Sequence, residues 1–317
     1  MKDFEKIIQS INWQIEPVSL YEPIYYILQS GGKRLRPSLM QIACKMFGKD
    51  GKITKNAAIA IEIFHNFTLI HDDVMDNSPT RRNRDTVHKK WNVNTAILSG
   101  DAMMIKSYEF LAKVPKKYWQ KVFSLFTKTA LEVCEGQQYD MDFEERDIVT
   151  IEEYFKMIRL KTAVLLACSL NMGAILADAP VKDQNLIYKL GIALGIAFQL
   201  EDDYLDAYGD FETLGKQIGS DILCRKKTFL LLTAMQKIDE GKKKLMNVTL
   251  NSKIYSDEEK INVIIDIFNS LDMPKICEVE IEKYYEQASN FLNQISVEEN
   301  QKNELKTLIN NLKNRQK

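Results

Sequence analysis

The chain has 317 residues, of which 45% are hydrophobic and 27% charged, and its net charge is −1 at pH 7; these values are typical of a soluble globular protein with a large core. The balanced charge excludes an overall field for nucleic acid or an anionic membrane. The N-terminus lacks the apolar core of a signal peptide, and no apolar run is long and uninterrupted enough to span a bilayer. Five cysteines without a CxxC pair are typical of reduced core thiols in a cytoplasmic protein.

Helical periodicity begins at the N-terminus and is interrupted by a basic turn. We expect helices over 3–15 and 20–29, the second ended by Gly31-Gly32. The cluster Lys33-Arg34-Leu35-Arg36-Pro37 follows, with Pro37 suited to the first turn of a helix over 38–47. Three cations at a helix start favour an anion, although an exposed basic turn would show the same residues.

An acidic motif ends the next helix, which we predict over 53–76. In His71-Asp72-Asp73-Val74-Met75-Asp76, Asp72 and Asp76 are four residues apart and therefore share a helix face. Carboxylates there repel one another and oppose the helix dipole, so a single such motif is most simply a solvated helix end. Divalent cations would remove the repulsion, and Mg²⁺ is usually bound by one or two carboxylates together with waters and substrate phosphates.

Two further features accompany this motif. His65 lies two turns before Asp72 on nearly the same face, which fits either a cavity position or a satisfied core histidine. The loop predicted at 77–90 carries Arg81-Arg82-Asn83-Arg84. These arginines could neutralise the carboxylates, or they could bind phosphate through their planar forks.

A second acidic motif, Glu201-Asp202-Asp203-Tyr204-Leu205-Asp206, ends a long apolar helix predicted over 184–206. Between the motifs, a helix over 151–178 contains Lys161-Thr162, whose lysine either extends toward solvent or pairs with an anion. The remaining predicted segments are helices over 93–113 and 116–141, a polar loop at 209–221 with Lys216 and Asp221, helices over 222–238, 256–270, 274–295 and 297–314, and a solvated tail at 313–317.

The fold prediction rests on this succession of helices. The sequence has no strand-length alternating run, heptad array or low-complexity linker. Asp202 lies 130 residues after Asp72, and parallel helices would let the two motifs face one another across a cavity. We therefore predict an all-α fold, a single-domain helical bundle over residues 1–317 around a central cavity.

From about residue 30 to 230, the chain resembles the trans-prenyltransferases of the polyprenyl (isoprenyl) diphosphate synthase family. Gly32-Lys33-Arg34-Leu35-Arg36-Pro37 matches the GGKRxRP signature of that family. Asp72–Asp76 followed by Arg81-Arg82 matches its first aspartate-rich motif, and Phe198–Asp206 matches the second. Two loop positions depart from the family pattern, since Asn83 and Lys226 stand where glycine is usual.

The resemblance implies an isoprenoid-synthase-type bundle, acting as a cytoplasmic homodimer on isopentenyl diphosphate and an allylic diphosphate (dimethylallyl, geranyl or farnesyl). It also implies a role for each matching residue. The diphosphate of isopentenyl diphosphate would be bound by Lys33, Arg36, His65 and Arg82. About three Mg²⁺ ions on the allylic diphosphate would be bound by Asp72, Asp76 and Asp202, with waters and outer contacts provided by Asp73, Asp203 and Asp206, and the remaining charge of that diphosphate would be bound by Arg81, Lys161, Lys216 and Lys227. The reaction centre would be lined by Thr162 and Gln199, so the catalytic candidates are Lys161, Thr162, Gln199 and Lys216.

The implied reaction is ionisation of the allylic diphosphate followed by attack of the alkene on the carbocation. Metal and cationic side chains would stabilise the leaving diphosphate, and the released diphosphate is the expected proton acceptor because no protein base is evident. Phe67, five positions before the motif, and Thr68, one turn before Asp72, are the chain-length candidates, although core packing explains Phe67 equally well. With no insertion in the first motif, we expect a C15–C20 product, with geranylgeranyl diphosphate ahead of farnesyl diphosphate.

Two alternatives remain open at this point. A class I terpene cyclase shares the helical bundle and one DDxxD motif, but it typically lacks the second motif and the GGKRxRP turn. A non-catalytic partner subunit of a prenyl synthase usually loses aspartates from one motif, whereas this chain retains all six.

Overall fold

The computed structural model describes residues 2–209 and 218–314. The all-α prediction is confirmed, since helices form nearly all of the regular structure in these residues. In chain order the helices are α1 Lys2–Gln9, α2 Val18–Leu28, α3 Leu35–Met46, α4 Lys55–Met75, α5 Val87–Lys90, α6 Val93–Leu111, α7 Lys116–Glu145, α8 Ile151–Ile158, α9 Val164–Leu176, α10 Val181–Tyr208, α11 Ser220–Leu223, α12 Phe229–Lys237, α13 Glu240–Asn251, α14 Asp257–Asn269, α15 Met273–Gln294 and α16 Glu299–Lys313, with a 3₁₀ turn at Gly51–Thr54 and a π turn at Arg159–Ala163.

The chain forms two compact units, each built from segments that are distant in sequence. Unit 1 consists of Met1–Thr127, Cys168–Ile187 and Ser296–Leu305, and unit 2 of Lys128–Ala167, Tyr188–Ile295 and Lys306–Lys317. The single domain and central cavity expected from the sequence stay a prediction. The first acidic motif belongs to unit 1 and the second to unit 2.

Unit 1 is organised around α4, which packs along α6 and is also contacted by α2 and α3. Residues 57–64 of α4 are all buried. Three of them, Ala57, Ala58 and Ala60, are small enough for a neighbouring helix to approach closely. The larger apolar side chains of the same run fill the core, namely Ile59, Ile61, Ile63 and Phe64. The helix ends at Met75, with Asp76 as its C-cap. This burial fixes the position of the acidic motif at the end of α4.

A two-residue β ribbon follows α4, within a segment that the sequence predicted as a loop. Strand β1, Thr80–Arg81, pairs antiparallel with strand β2, Arg84–Asp85. The two connecting residues, Arg82 and Asn83, have φ angles of 52° and 58°, which is the left-handed pair of a type I′ hairpin turn. Asparagine tolerates this conformation better than most residues, so Asn83 can replace the glycine that is usual there.

In unit 2, helices approach one another through glycines that admit no side chain. A Cβ atom on Gly195 would lie 2.4 Å from Ala163 Cα, and one on Gly191 would lie 2.4 Å from Ala167 Cα. On α7, a Cβ atom on Gly136 would lie 2.2 Å from the backbone nitrogen of Lys161. Helix α7 is therefore in direct backbone contact with the π turn that carries Lys161 and Thr162.

Several predicted boundaries were wrong. Helix α1 ends at Gln9, well before residue 15. The helix predicted over 222–238 is broken, because α12 begins only at Phe229, where the Thr228 hydroxyl accepts a hydrogen bond from the Leu231 N–H at 3.3 Å. The sequence also missed α13, whose polar, lysine-rich first half conceals its periodicity.

Two other sequence-based expectations can be compared with the structure. Cys44, Cys168 and Cys277 are buried as expected of core thiols, but Cys134 and Cys224 are exposed. Within the part of the chain that the structure describes, one helical stretch, Ile151–Leu176, is long and apolar enough to cross a membrane, and 78% of its most apolar window is buried inside the protein. Such burial is what the core helix of a folded protein shows.

Candidate active site

The first acidic motif presents two carboxylates at the end of α4 and buries the third. Asp72 is half-buried and Asp76 is exposed. The Asp76 N–H donates to the Asp72 carbonyl oxygen at 2.8 Å, so the helical turn continues to Asp76 and the two side chains share a face. Asp73 points inward and is 1% exposed. Asp72 and Asp76 are therefore the more accessible carboxylates of this motif.

Asp73 connects the end of α4 to the β ribbon. Its Oδ1 accepts a hydrogen bond from Arg81 Nε at 2.7 Å, and its backbone carbonyl accepts one from the Ser78 N–H at 3.0 Å. Burial raises the pKa of Asp73 to about 6, and the guanidinium of Arg81 opposes that rise. The sequence left open whether these arginines neutralise the carboxylates or bind phosphate. The contact of Arg81 Nε with Asp73 is of the neutralising kind.

The glycine turn before α3 gathers basic side chains. Gly31 and Gly32 have φ angles of 70° and 133°. Arg82 donates to the Gly31 carbonyl oxygen, and a Cβ atom on Gly32 would lie 3.0 Å from the Arg82 guanidinium. Gly32 therefore provides both the backbone conformation and the space that let Arg82 lie against the turn.

His65 and Arg36 lie beside this turn. Arg36 Nη1 is 3.0 Å from His65 Nε2. Desolvation of the ring, together with the positive charge of Arg36 and Arg82, holds the pKa of His65 well below its usual value. The neutral ring therefore accepts a hydrogen bond from Arg36 and carries its proton on Nδ1. Arg36, His65 and Arg82 thus lie together, with Lys33 exposed at the same turn.

Arg34 was one of the three cations that the sequence analysis considered for anion binding at the start of α3. In the structure its side chain is buried and pairs with carboxylates of the protein itself. Its side chain is 2% exposed and contacts Glu62 at 2.7 Å and Glu5 at 2.8 Å. A further hydrogen bond runs from its Nη2 to the Leu28 carbonyl oxygen at 2.7 Å. Burial disfavours its charge, but the two glutamates outweigh that effect and raise the pKa of Arg34.

The second acidic motif lies near the end of α10 and differs from the first, because it buries two carboxylates and leaves one half-buried. Asp202 is half-buried, whereas Asp203 and Asp206 are 6% and 1% exposed. Asp206 accepts hydrogen bonds from the Ser220 hydroxyl at 3.2 Å and the Asp221 N–H at 2.9 Å. The Asp206 side chain therefore anchors the segment that enters α11.

A hydrogen-bonded chain links Asp203 to the reaction-centre candidates. Asp203 Oδ2 accepts from the Tyr154 hydroxyl at 2.6 Å, and its Oδ1 accepts from Gln199 Nε2 at 2.9 Å. Gln199 Oε1 in turn accepts from the Thr162 hydroxyl at 2.9 Å. Burial, then the charge of Asp221, raises the pKa of Asp203 to about 7. Sequence reasoning missed Tyr154, because nothing in the local sequence connects it to a residue 49 positions away.

Lys161 is paired with an anion, which was one of the two roles that the sequence allowed. Its Nζ lies 2.5 Å from Asp140 Oδ2, and both side chains are mostly buried. Thr162 follows within the π turn Arg159–Ala163. Interruptions of this kind in an α-helix frequently occur at functional sites.

The remaining predicted residues are located as follows. Lys227 is half-buried in the non-helical segment between α11 and α12, and Lys216 lies outside the described residues. Phe67 is 7% exposed and packs against Phe64 and His71, at ring-centroid distances of 5.4 Å and 4.7 Å. Thr68 donates to the His65 carbonyl oxygen at 2.8 Å.

The acidic side chains suit a metal that takes part of its coordination from a substrate. Among residues 2–209 and 218–314, no three His, Cys, Asp or Glu side chains lie close enough together to hold a metal alone. Asp72 and Asp76 supply carboxylate oxygens from one helix face, and Mg²⁺ usually fills its octahedral shell with waters and substrate phosphates. This donor set therefore fits Mg²⁺ bound together with a phosphate.

Comparison with known proteins gives consistent results. Residues 17–268 match the family model described as polyprenyl synthetase. The geranylgeranyl diphosphate synthase of Sulfolobus acidocaldarius is 38% identical over 92% of this chain and 91% of its own length. The geranylfarnesyl diphosphate synthase of Aeropyrum pernix is 31% identical over 93% of each chain. A crystal structure of geranylgeranyl pyrophosphate synthase is 43% identical, covers 100% of this chain and 97% of its own, and superimposes with a TM-score of 0.92.

Proposed function

The chain belongs to the polyprenyl synthetase family, and we propose that it condenses isopentenyl diphosphate head to tail with an allylic diphosphate, with Mg²⁺ as cofactor. Like its relatives it is a prenyltransferase that elongates prenyl chains. The observation that carries the choice of substrates is the basic cluster Arg36, His65 and Arg82 at the Gly31-Gly32 turn. The two acidic motifs suit one diphosphate that is bound through metal ions, and the basic cluster suits a second diphosphate that is bound without them.

The basic cluster is proposed to bind the diphosphate of isopentenyl diphosphate. Lys33 and Arg36 supply positive charge, and Arg82 supplies a planar donor fork. His65 accepts from Arg36 and so orients that guanidinium, while its own Nδ1–H remains a donor. A neutral ring is favourable here, because a third full charge beside two arginines would repel them.

The acidic motifs are proposed to bind the metal-complexed allylic diphosphate through Asp72, Asp76 and Asp202. Bound Mg²⁺ would neutralise that diphosphate and make it a better leaving group. Arg81, Lys161, Lys216 and Lys227 are proposed to neutralise its remaining charge. Arg81 is held by Asp73 through Nε, which leaves the two terminal nitrogens of its guanidinium to donate to phosphate oxygens.

The interior contacts of the second motif support a role in orientation. Asp203 fixes Gln199, and Gln199 fixes the Thr162 hydroxyl, so these polar groups have defined directions at the proposed reaction centre. None of them is positioned as a general base. We therefore assign the final proton to the released diphosphate.

The product is proposed to be C15–C20, with geranylgeranyl diphosphate favoured. Phe67 supports this limit, because its buried ring lies on α4 about one and a half turns before Asp72 and packs between Phe64 and His71. A bulky aromatic group there would stop a growing chain. The relatives named above are synthases of geranylgeranyl and geranylfarnesyl diphosphate, which are C20 and C25 compounds.

A cytoplasmic homodimer is the proposed form of the enzyme. Helix α6 exposes large apolar side chains, including Leu98 at 60% and Ile105 at 70%. These two residues are seven positions apart and lie on one helix face, which supports self-association through α6. Size-exclusion chromatography with light scattering measures the subunit number directly.

Product analysis tests the proposal. The enzyme is incubated with labelled isopentenyl diphosphate, Mg²⁺ and each of the C5, C10 and C15 allylic diphosphates, with EDTA as the control. A metal-dependent series ending at C15 or C20 is the expected result. Hydrocarbon formed without isopentenyl diphosphate would indicate a terpene cyclase instead, and absence of condensation with every primer would indicate a non-catalytic subunit.

A further inference from the structure

Three arginines within four residues of the β ribbon must be kept apart. Arg81, Arg82 and Arg84 repel one another, yet the first two are proposed to reach substrate oxygens. Each guanidinium has a different partner in the protein. Arg81 bonds Asp73 at 2.7 Å, Arg82 donates to the Gly31 carbonyl oxygen, and the Arg84 guanidinium lies 4.0 Å from the centroid of the Tyr26 ring.

Tyr26 has more contacts with this region than its position on α2 would suggest. The Lys90 ammonium also lies 4.0 Å from the ring centroid, and Trp91 packs edge-on at 5.2 Å. The Tyr26 hydroxyl donates to the Asp85 carbonyl oxygen at 2.9 Å. One side chain therefore contacts the ribbon through its ring and through its hydroxyl, and it also contacts the residues that follow the ribbon.

The ribbon depends on such outside contacts. Two residue pairs are too few for a hairpin to be stable alone. Arg82 also has a left-handed backbone, with a φ of 52°, which for a residue other than glycine persists only when its surroundings over-determine it. The contacts from α2 supply part of that constraint, because they fix Arg84 and Asp85 directly after the turn.

We propose that Tyr26 is a positioning residue for substrate binding: by holding Arg84 and Asp85, it fixes the hairpin whose turn presents Arg82 to the diphosphate of isopentenyl diphosphate. Its ring also provides a favourable site for the Arg84 charge away from Arg82. This inference rests on the proposed function, because it assumes that Arg82 binds that diphosphate.

Three variants separate the contacts. Tyr26→Phe retains the ring and loses only the hydroxyl contact, whereas Tyr26→Leu loses both. Tyr25→Leu is the matched control, since Tyr25 is the adjacent tyrosine, is 49% exposed, and has no ring or cation contact among the described residues. Each protein is examined by amide hydrogen exchange of the segment 78–91, by thermal melting, and by initial rates with each substrate varied in turn.

The expected results are specific to the hairpin. Tyr26→Leu should speed exchange in 78–91 by about fivefold or more and raise KM for isopentenyl diphosphate about tenfold, with kcat and the KM for the allylic substrate changed less than about threefold. Tyr26→Phe should recover most of the loss, and Tyr25→Leu should match the wild type. Unchanged exchange in Tyr26→Leu, or a KM shift no larger than that of Tyr25→Leu, overturns the proposal, as does an equal loss of all kinetic constants together with melting temperature.

Failure of the proposed function would be recognised differently. The wild-type protein would then form no product from isopentenyl diphosphate, and Arg82→Lys would not change its binding. The difference in exchange between Tyr26→Leu and Tyr25→Leu requires no substrate, and it would still identify Tyr26 as the residue that holds the hairpin.

Discussion

Replacing Arg34 should destabilise the protein without weakening substrate binding, although Arg34 stands within the basic signature. Arg34→Met removes a guanidinium that is 2% exposed and leaves the equally buried Glu62 carboxylate, at 2.7 Å, without its partner. Removing one member of a buried pair costs about 3–5 kcal/mol, mostly because the other charge stays buried. Glu5 is 30% exposed and adds less. For a chain of 317 residues we expect the melting temperature to fall by about 4–8 °C.

The assay compares four proteins by thermal melting and by the KM for isopentenyl diphosphate. Arg34→Met should melt early with a nearly normal KM. Arg36→Met is the matched control, since Arg36 is half-buried beside His65; it should lose about 1 kcal/mol or less and raise KM instead. The double variant Arg34→Met/Glu62→Met removes both buried charges, so it should be no less stable than Arg34→Met alone.

One outcome would refute this reasoning. If Arg34→Met kept the wild-type melting temperature and raised KM as strongly as Arg36→Met, Arg34 would be a substrate cation and the contacts with Glu62 and Glu5 would be incidental. A double variant clearly less stable than Arg34→Met alone would show that the unpaired Glu62 carboxylate is not the source of the loss.

Four other changes test separate parts of the site. Asp72→Asn should lower kcat by about 10²-fold or more and raise the Mg²⁺ concentration needed for half-maximal rate, measured by metal titration. Phe67→Ala should lengthen the product by at least one five-carbon unit, measured by chromatography of the hydrolysed products. His65 should lower the stability as the pH drops below about 6.5, because its lowered pKa means that the unfolded chain binds the proton first, whereas the raised pKa values of Asp73 and Asp203 act in the opposite direction. The melting temperature of the wild type relative to that of His65→Gln should therefore decrease from pH 8 to pH 5, as melting curves of both proteins measure. Gly136→Ala should cost about 1–3 kcal/mol, since its Cβ would overlap the Lys161 backbone, and melting measures that loss.

These four predictions have controls within the chain. Asp76→Asn should resemble Asp72→Asn, whereas Asp101→Asn, on exposed α6 surface, should not; equal effects would remove the metal assignment. An unchanged product from Phe67→Ala would make Phe67 an ordinary core residue. A difference in melting temperature between the wild type and His65→Gln that stays constant from pH 5 to 8 would contradict the assignment to His65. Gly51→Ala, where the nearest atom is 3.6 Å away, should be tolerated, and equal losses at both glycines would refute the packing argument.

The all-helical fold and the identity of the motifs could be predicted from sequence, because both depend on local patterns. Apolar periodicity marked α4 and α10, and carboxylates four residues apart defined the shared faces of Asp72 and Asp76. The π turn could not be predicted, since no local pattern marks it and the backbone packed against it, at Gly136, belongs to another helix. Long-range packing has no local signature.

The sequence also could not predict which aspartates of each acidic motif are buried and which are accessible. Asp72 and Asp73 are neighbours of the same residue type, yet a helix rotates consecutive side chains by about 100°, so one is half-buried and the other lies inside. Arg34 and Arg36 differ in the same way. A residue's class was predictable at these positions, whereas the direction of its side chain depended on which neighbours covered that face.

The π turn Arg159–Ala163 has a consequence for the rotational phase of the helix that contains it. Tyr154 and Thr162 both hydrogen-bond to α10, at Asp203 and Gln199, and they are eight positions apart. In an uninterrupted α-helix, eight residues would leave them about 80° out of phase. The additional residue that an i→i+5 turn accommodates turns the helix back and aligns both side chains toward α10. A regular α-helix with the same number of residues would therefore separate the two contacts, whereas deleting one residue from the turn would leave the two side chains seven positions apart and only about 20° out of phase. The extra residue in this segment is thus compatible with the site only because the π turn accommodates it.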